Sequence, residues 1–169
     1  MNIDVFGADE QQDFEIDLEA FTQLLAFALA AEGVRPPAEV NLLFVDNDTI
    51  AALNHSHMGK AGPTDVLSFP IDDEPRPPGR NPDAGNAGPG GDSAPEQLRM
   101  VGDIVIAPSV AALNAVEHEA TLEEELSLLV VHGALHLLGW DHGEDSEAEA
   151  MEAREQGLLT AFASSKGQG

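Results

Sequence analysis

The sequence predicts one domain that combines four short β-strands with about five helices. The length of 169 residues is enough for one hydrophobic core, and it is too short for two independent domains to be expected. Hydrophobic residues make up 43% of the chain, as is typical of a globular protein. Short β-rich segments are interleaved with segments in which apolar residues recur every three or four positions.

Four segments have the pattern of β-strands. Residues 2–6 alternate as a short edge strand does, and residues 39–45 form a β-rich run that ends at turn residues. The segment DVLSFP, at 65–70, ends at a proline, which is typical of a strand end. The segment GDIVIA, at 102–107, is the fourth. These strands are sufficient for a small sheet.

Five segments have the helical pattern. The predicted helices cover residues 17 to about 32, 49–54, 108–117, 121–139 and 146–162. Thr121 and Glu124 form a capping box that begins the fourth helix, and Gly139 is suited to end it. The predicted buried side of the last helix consists of Ala150, Met151, Leu158 and Leu159.

Residues 72–99 interrupt this pattern. They are rich in proline and glycine and show no periodicity, which predicts a flexible insertion projecting from the sheet of a single domain spanning residues 1–169. Arg76, Arg80 and Arg99 offer cations to a polyanion, but the composition favours a solvated tether.

The charge and composition exclude several classes of function. A net charge of -24, from 31 acidic residues against seven Lys and Arg, argues against the broad basic surface that usually binds nucleic acid. A phosphate partner must therefore be held by something local. The absence of cysteine excludes disulfides and thiolate ligands. No apolar run reaches the roughly 18 residues that a membrane span requires, and the start does not resemble a signal peptide, so we expect a cytoplasmic protein without a membrane partner.

Three of the six histidines lie within HGALHLLGWDH, residues 132–142. His132 and His136 are four residues apart, so a helix places both on one face, and a break at Gly139 allows His142 to return to them. A lone histidine on an apolar helix is more often a core residue, but this spacing favours a metal. Three imidazoles without a fourth protein ligand predict one catalytic Zn²⁺ that activates water.

The same spacing matches the zinc-protease signature H-E-x-x-H-x-x-G-x-x-H. One element differs, because Gly133 stands where the signature has the glutamate that acts as general base. A metzincin-like zinc peptidase is therefore an alternative that the spacing permits and Gly133 disfavours.

Three stretches, PTDVLSFP at 63–70, GDIVIA at 102–107 and HGALHLLGWDH at 132–142, together resemble the YbeY family of zinc-dependent endoribonucleases, the rRNA maturation factors. The likeness runs from about residue 38 to 160. It implies an α+β domain with a small mixed four-stranded sheet packed by about five helices and a zinc site at the end of a helix. It also implies Zn²⁺ binding by His132, His136 and His142, and hydrolysis of a phosphodiester in single-stranded RNA.

The resemblance also implies a place in ribosome biogenesis. The expected role is 16S rRNA 3′ end maturation and small-subunit quality control, and the expected partners are the 16S rRNA precursor and the small ribosomal subunit with its proteins. A further alternative is a non-catalytic ribosome assembly factor whose metal is structural.

One departure from the family pattern concerns the substrate-binding side chains. Many members carry an aromatic-Arg pair before PTDVLSF, where this chain aligns His57 and Met58. The resemblance therefore implies that another side chain, such as His55, replaces the missing cation, although these residues also suit a solvated polar turn. The candidates for substrate binding are His57, Lys60, Thr64 and Ser68.

Carboxylates near the motifs complete the candidate site. Asp141 precedes His142 and joins the three histidines in the predicted catalytic set, as an acceptor that orients a ligand, although it also suits a turn. Asp65 and Asp103 begin matched strands, where structural roles compete with catalytic ones. Trp140 suits either base stacking or the core.

The scarcity of cations makes the salt dependence of RNA binding a test of this interpretation. We expect the affinity for single-stranded RNA to fall with salt along a shallow slope, because few cationic side chains displace counterions. Equilibrium binding at several salt concentrations measures the slope. A steep slope would reveal a basic surface that the sequence does not show.

Overall fold

A four-stranded mixed sheet forms the centre of the computed structural model, which describes residues 3–59, 62, 64–71, 98–140 and 145–167. The strands are β1 (Ile3–Asp9), β2 (Ala38–Phe44), β3 (Val66–Pro70) and β4 (Arg99–Ile106). Their order across the sheet is β1-β2-β4-β3, and β1, β2 and β4 are parallel whereas β3 is antiparallel to β4. The predicted α+β class is confirmed, and β1 is an edge strand as predicted.

Five α-helices and one short π-helical turn occur in the described part of the chain. The helices are α1 (Leu18–Ala31), α2 (Asn47–Leu53), α3 (Pro108–Glu117), α4 (Leu122–Leu137) and α5 (Asp145–Gly167). The π-helical turn (Asn54–Met58) follows α2 directly. None of the helices within these described ranges is long and apolar enough to cross a lipid bilayer.

Both ends of α4 are fixed by the signals that predict them. The capping box is present at its start, where Thr121 Oγ1 accepts from Glu124 N and Glu124 Oε1 accepts from Thr121 N. At its end Gly139 adopts a φ of 99°, and the Trp140 and Gly139 amides donate to the Leu135 and His136 carbonyls. This pair of bonds is a Schellman motif, which ends the helix immediately after the histidine pair.

The main core lies between the sheet and helices α1, α4 and α5. Alternate residues of β2 point into it, because side chains of a strand alternate between its two faces. They are Ala38, Val40, Leu42 and Phe44, all buried. A smaller cluster that includes Ile50 of α2 and Leu67 of β3 forms a second core. The sheet thus presents β4 to the helix that carries the histidines.

Several boundaries differ from the sequence prediction. Strand β1 continues to Asp9 and α5 to Gly167, beyond their predicted ends, and the start of β4 also differs. Strand β4 begins at Arg99, three residues before the predicted start, because β2 begins at Ala38 and offers a pairing partner there. Arg99 therefore belongs to the sheet and not to the predicted insertion. Arg76 and Arg80 lie outside the described residues, with the rest of 72–97.

Helix α4 packs closely against the sheet at two glycines. Gly102 has a φ of 148°, and a Cβ atom there would lie 2.5 Å from the Phe69 carbonyl oxygen and 2.8 Å from Leu137 Cδ2 of α4. The register between β2 and β4 shifts by one residue at the same place, between Glu39 and Val40. A Cβ atom at Gly133 would lie 2.9 Å from Ile104 Cγ2 of β4. Each glycine thus permits an approach that a side chain would prevent.

We expect Gly102→Ala to lower the free energy of unfolding by about 1–3 kcal/mol, because the backbone conformation and the contact with Phe69 both oppose a methyl group. Gly157→Ala is the matched control, since Gly157 lies in α5 with open space around its Cβ position. Alanine there should raise the free energy of unfolding by about 0.5–1 kcal/mol. Urea denaturation measures both, and equal effects would contradict the close approach.

Candidate metal centre

His132 and His136 converge at the end of α4. Their Nε2 atoms are 3.0 Å apart, and their rings meet edge to face with centroids 4.5 Å apart. Two imidazole nitrogens bound to one tetrahedral zinc ion lie about 3.3 Å apart, given Zn–N distances of about 2.0–2.1 Å. The two rings therefore turn the same nitrogen toward a common point, at nearly the separation that zinc requires.

The remaining members of the predicted catalytic set, His142 and Asp141, lie outside the described residues. Within the described ranges, no group of three or more His, Asp or Glu side chains is placed to hold a metal ion. The zinc site as a whole therefore stays a prediction, while the paired imidazoles expected from the spacing are present.

The other ring nitrogen of His132 contacts a carboxylate that sequence analysis missed. His132 Nδ1 lies 2.5 Å from Glu155 Oε2, and the Glu155 side chain is only 7% exposed. Glu155 lies on the same face of α5 as Met151 and Leu158, which are buried as predicted. The sequence did contain a signal for this contact, because Glu155 interrupts the apolar face formed by Met151 and Leu158, and a buried carboxylate needs a partner. Ala150 is exposed, contrary to prediction, because it lies off this stripe.

Position 133 packs against the sheet. Gly133 is buried, and a side chain there would press against Ile104, so a glutamate at this point of α4 meets β4 at close range. The position at which the zinc-protease signature has its glutamate base is therefore used for packing between α4 and the sheet. Ser68 of β3 reinforces the same contact, since its Oγ donates to the Gly133 carbonyl at 3.4 Å.

A cavity of about 350 Å³ opens beside the histidine pair. Its wall includes His132 and Glu155 and continues along α4 to Leu129 and Glu125. The carboxylates in its lining belong to Asp65, Glu125, Glu152 and Glu155, and apolar side chains lie between them. His132 therefore adjoins an open pocket whose lining combines carboxylates with apolar side chains.

His118 lines the same cavity and was also missed. Its Nδ1 lies 3.0 Å from Glu125 Oε1, and the Glu125 side chain is almost fully buried. The hydrogen bond and the charge of Glu125 raise the pKa of His118 above its usual 6.5, with smaller contributions from Glu117 and Asp65. Glu125 lies seven residues before His132, on the same face of α4, and this spacing was the only signal in the sequence.

Two of the predicted substrate-binding residues, Thr64 and Ser68, lie just before β3 and within it. Thr64 Oγ1 is 3.4 Å from Asp65 Oδ1, and Asp65 Oδ2 accepts from Asn114 Nδ2 of α3 at 3.1 Å. Asp65 lines the cavity and also ties the start of β3 to α3, so the structural role considered for it agrees with its contacts, while the catalytic role stays a prediction. Ser68 lies on β3 against the histidine-bearing helix.

The polar turn after α2 contains a third candidate, His57. His57 is exposed and packs edge to face on Phe69 of β3, with ring centroids 5.0 Å apart. His55 is also exposed, and Met58 ends the π-helical turn. Lys60 lies outside the described residues.

Two further candidates have structural partners. Asp103 Oδ1 accepts from Asn41 Nδ2 at 2.8 Å across the β2–β4 pair. Trp140 packs on the main core, and its indole N–H donates to Glu32 Oε1 at 3.3 Å. Glu32 also forms an ion pair with Arg154 of α5. The core role considered for Trp140 therefore agrees with its contacts, and Glu32 links the ends of α1 and α4 to α5.

Comparison with known proteins extends this description. The model of a family described as Endoribonuclease YbeY matches residues 7–163. The Endoribonuclease YbeY of Salinispora tropica is 42% identical over 154 residues, which cover 90% of this chain and 92% of the relative. The Endoribonuclease YbeY of Streptomyces coelicolor is 37% identical and covers 99% and 93%. A solution structure of a Thermotoga maritima protein matches with a TM-score of 0.55 and 25% identity, covering 99% and 95%.

These matches define the class of protein first, a single α+β domain of a hydrolase. The chain belongs to the YbeY endoribonuclease family. The resemblance noted in three stretches is confirmed, and it extends to the N-terminal strand and α1, beyond the region in which the motifs lie.

The His118–Glu125 pair makes stability depend on pH. Since the pKa of His118 is raised in the folded state, the pair stabilises the fold fully below the unfolded pKa of about 6.5, and this contribution is lost as the pH rises through the folded pKa. We expect the advantage of the wild type over His118→Gln in free energy of unfolding to be larger near about pH 6 than near about pH 9. Urea denaturation at both pH values tests this, and an equal advantage would contradict it.

Proposed function

We propose that the protein is a single-strand-specific, zinc-dependent endoribonuclease that acts in rRNA processing. The observation that carries this proposal is the convergence of His132 and His136 through Nε2, in a chain of the YbeY family. Cleavage of RNA inside the chain is the activity that the relatives' name states.

The donor set fits zinc. Neutral imidazole is a preferred zinc ligand, and His132 and His136 offer Nε2 atoms at nearly the required separation. We assign His142 as the third ligand, because the Schellman motif at Gly139 reverses the chain three residues before it. A zinc ion held there would polarise a phosphate oxygen and lower the pKa of a water molecule for attack on phosphorus.

The chain's own residues bind and orient the substrate in this proposal. His57, Lys60, Thr64 and Ser68 are the proposed substrate contacts, and Asp141 is proposed to orient His142. His118 joins them, because it shares a cavity with His132 and its raised pKa keeps the imidazole cationic closer to neutral pH. His118 is therefore a candidate to replace the arginine that many family members have where this chain has Met58.

The proposed substrate in the cell is the 16S rRNA precursor. The proposed pathway is 3′ end maturation and quality control of the small ribosomal subunit, in the cytoplasm, with the subunit and its proteins as partners. Mapping of rRNA ends in a strain that lacks the protein tests this pathway. Unchanged 16S 3′ ends would restrict the proposal to the nuclease activity.

The two alternative functions differ in what the site can do. A zinc peptidase needs a base at position 133, where packing against Ile104 opposes a glutamate. An assembly factor with a structural metal needs no hydrolysis, so a zinc-free variant that folds would still support maturation. Parallel incubation with single-stranded RNA and with an unstructured protein substrate separates the enzymatic alternatives.

We expect His132→Ala, His136→Ala and His142→Ala each to lower bound zinc from about one per chain to well below one, and to abolish RNA cleavage, because two imidazoles hold zinc far less tightly than three. Metal analysis of the purified proteins and a single-stranded RNA cleavage assay measure this. His55→Ala is the matched control, since His55 is an exposed histidine in the turn after α2 and should leave zinc content unchanged. Stoichiometric zinc in all three variants would refute the site.

A further inference from the structure

We propose that Glu155 is a positioning residue that holds His132 with its Nε2 directed at the metal. This inference rests on the proposed function and adds a residue from α5 to the site. It is carried by the 2.5 Å contact between His132 Nδ1 and Glu155 Oε2 and by the burial of that carboxylate.

The burial of Glu155 requires a donor. A carboxylate removed from water is costly unless it is paired and hydrogen-bonded, and the Glu155 side chain is only 7% exposed. Met151 and Leu158, one turn away on either side along α5, are buried in the main core. Glu155 therefore reaches His132 from an apolar surface, and the Nδ1–H of that ring meets its need for a partner.

The same contact decides which nitrogen of His132 is available. When Nδ1 donates its proton to Glu155, the lone pair of a neutral imidazole lies on Nε2. That is the atom that approaches Nε2 of His136. Carboxylates in this arrangement fix the tautomer and the ring orientation of a metal-binding histidine and increase its basicity. Glu155 thus selects the nitrogen that the paired geometry requires.

The position of Glu155 also makes α5 part of the site. Its neighbour Arg154 is paired with Glu32, which accepts from Trp140 immediately after the Schellman motif. Two adjacent residues of α5 therefore connect to the histidine segment. Glu155 contacts His132 at its start, and Arg154 pairs with Glu32, which accepts from Trp140 near its end. The register of α5 against α4 is consequently fixed at the site.

The test compares zinc affinity in Glu155→Gln and Glu152→Gln. Both residues lie on α5 and line the same cavity, but Glu152 is exposed, so the pair separates the contact with His132 from the loss of one negative charge. We expect Glu155→Gln to weaken zinc binding about 10- to 100-fold in chelator competition, and Glu152→Gln to leave it near the wild-type value. The thermal midpoint of each metal-free variant is measured alongside, since a purely structural role would lower that midpoint without changing zinc affinity.

The outcomes distinguish this inference from the proposed function. Absence of zinc binding in the wild type would overturn both. Tight binding in the wild type with unchanged affinity in Glu155→Gln would overturn only the role of Glu155, as would equal weakening in both variants. A second measurement does not depend on the folding of a variant: histidine ring ¹⁵N NMR of the zinc-loaded wild type should show a protonated Nδ1 and a metal-bound Nε2 for His132, and metal on Nδ1 would overturn the inference.

Discussion

The close contact between α4 and β4 is the constraint on which the rest of the structure depends. Gly133 on the helix meets Ile104 on the strand, and Gly102 on the strand meets Leu137 on the helix, so each element contributes one glycine to the same contact. This approach fixes the rotation of α4 about its own axis. With position 133 against the sheet, His132 faces α5 and the adjoining cavity, and His136 lies beside it with the two Nε2 atoms 3.0 Å apart.

Much of this arrangement follows from local signals in the sequence. The capping box at Thr121, the stop at Gly139 and the spacing of His132 and His136 act within a few residues, and they predicted both ends of α4 and its paired imidazoles. The insertion boundary was wrong at Arg99 because pairing with Ala38, far away in the chain, decides where β4 begins.

The contacts that sequence analysis missed join elements that are distant in the chain. Glu155 meets His132 across 23 residues, and its place within a buried stripe becomes meaningful only when α5 is docked on α4. His118 lies on the turn after α3, and its contact with Glu125 depends on the angle at which α4 leaves that turn. Sequence analysis predicted Asp141 because it is next to His142 in the chain. The buried carboxylate that contacts His132 is Glu155, which belongs to a different helix.

Because this chain is so acidic, the use of neutral imidazoles as metal ligands determines how much positive charge the proposed site offers. Imidazole is neutral when it binds a metal, so a divalent ion held by histidines alone keeps its full charge, whereas each carboxylate ligand would cancel part of it. With a net charge of -24 and four carboxylates lining the cavity, a site of the proposed kind must present that charge directly to a phosphate. The nearby carboxylates of Glu155 and Glu125 are instead paired with histidine rings. The long-range electrostatic interaction of this chain with a polyanion is therefore repulsive, and under the proposed function recognition must rely on short-range contacts around the histidine pair.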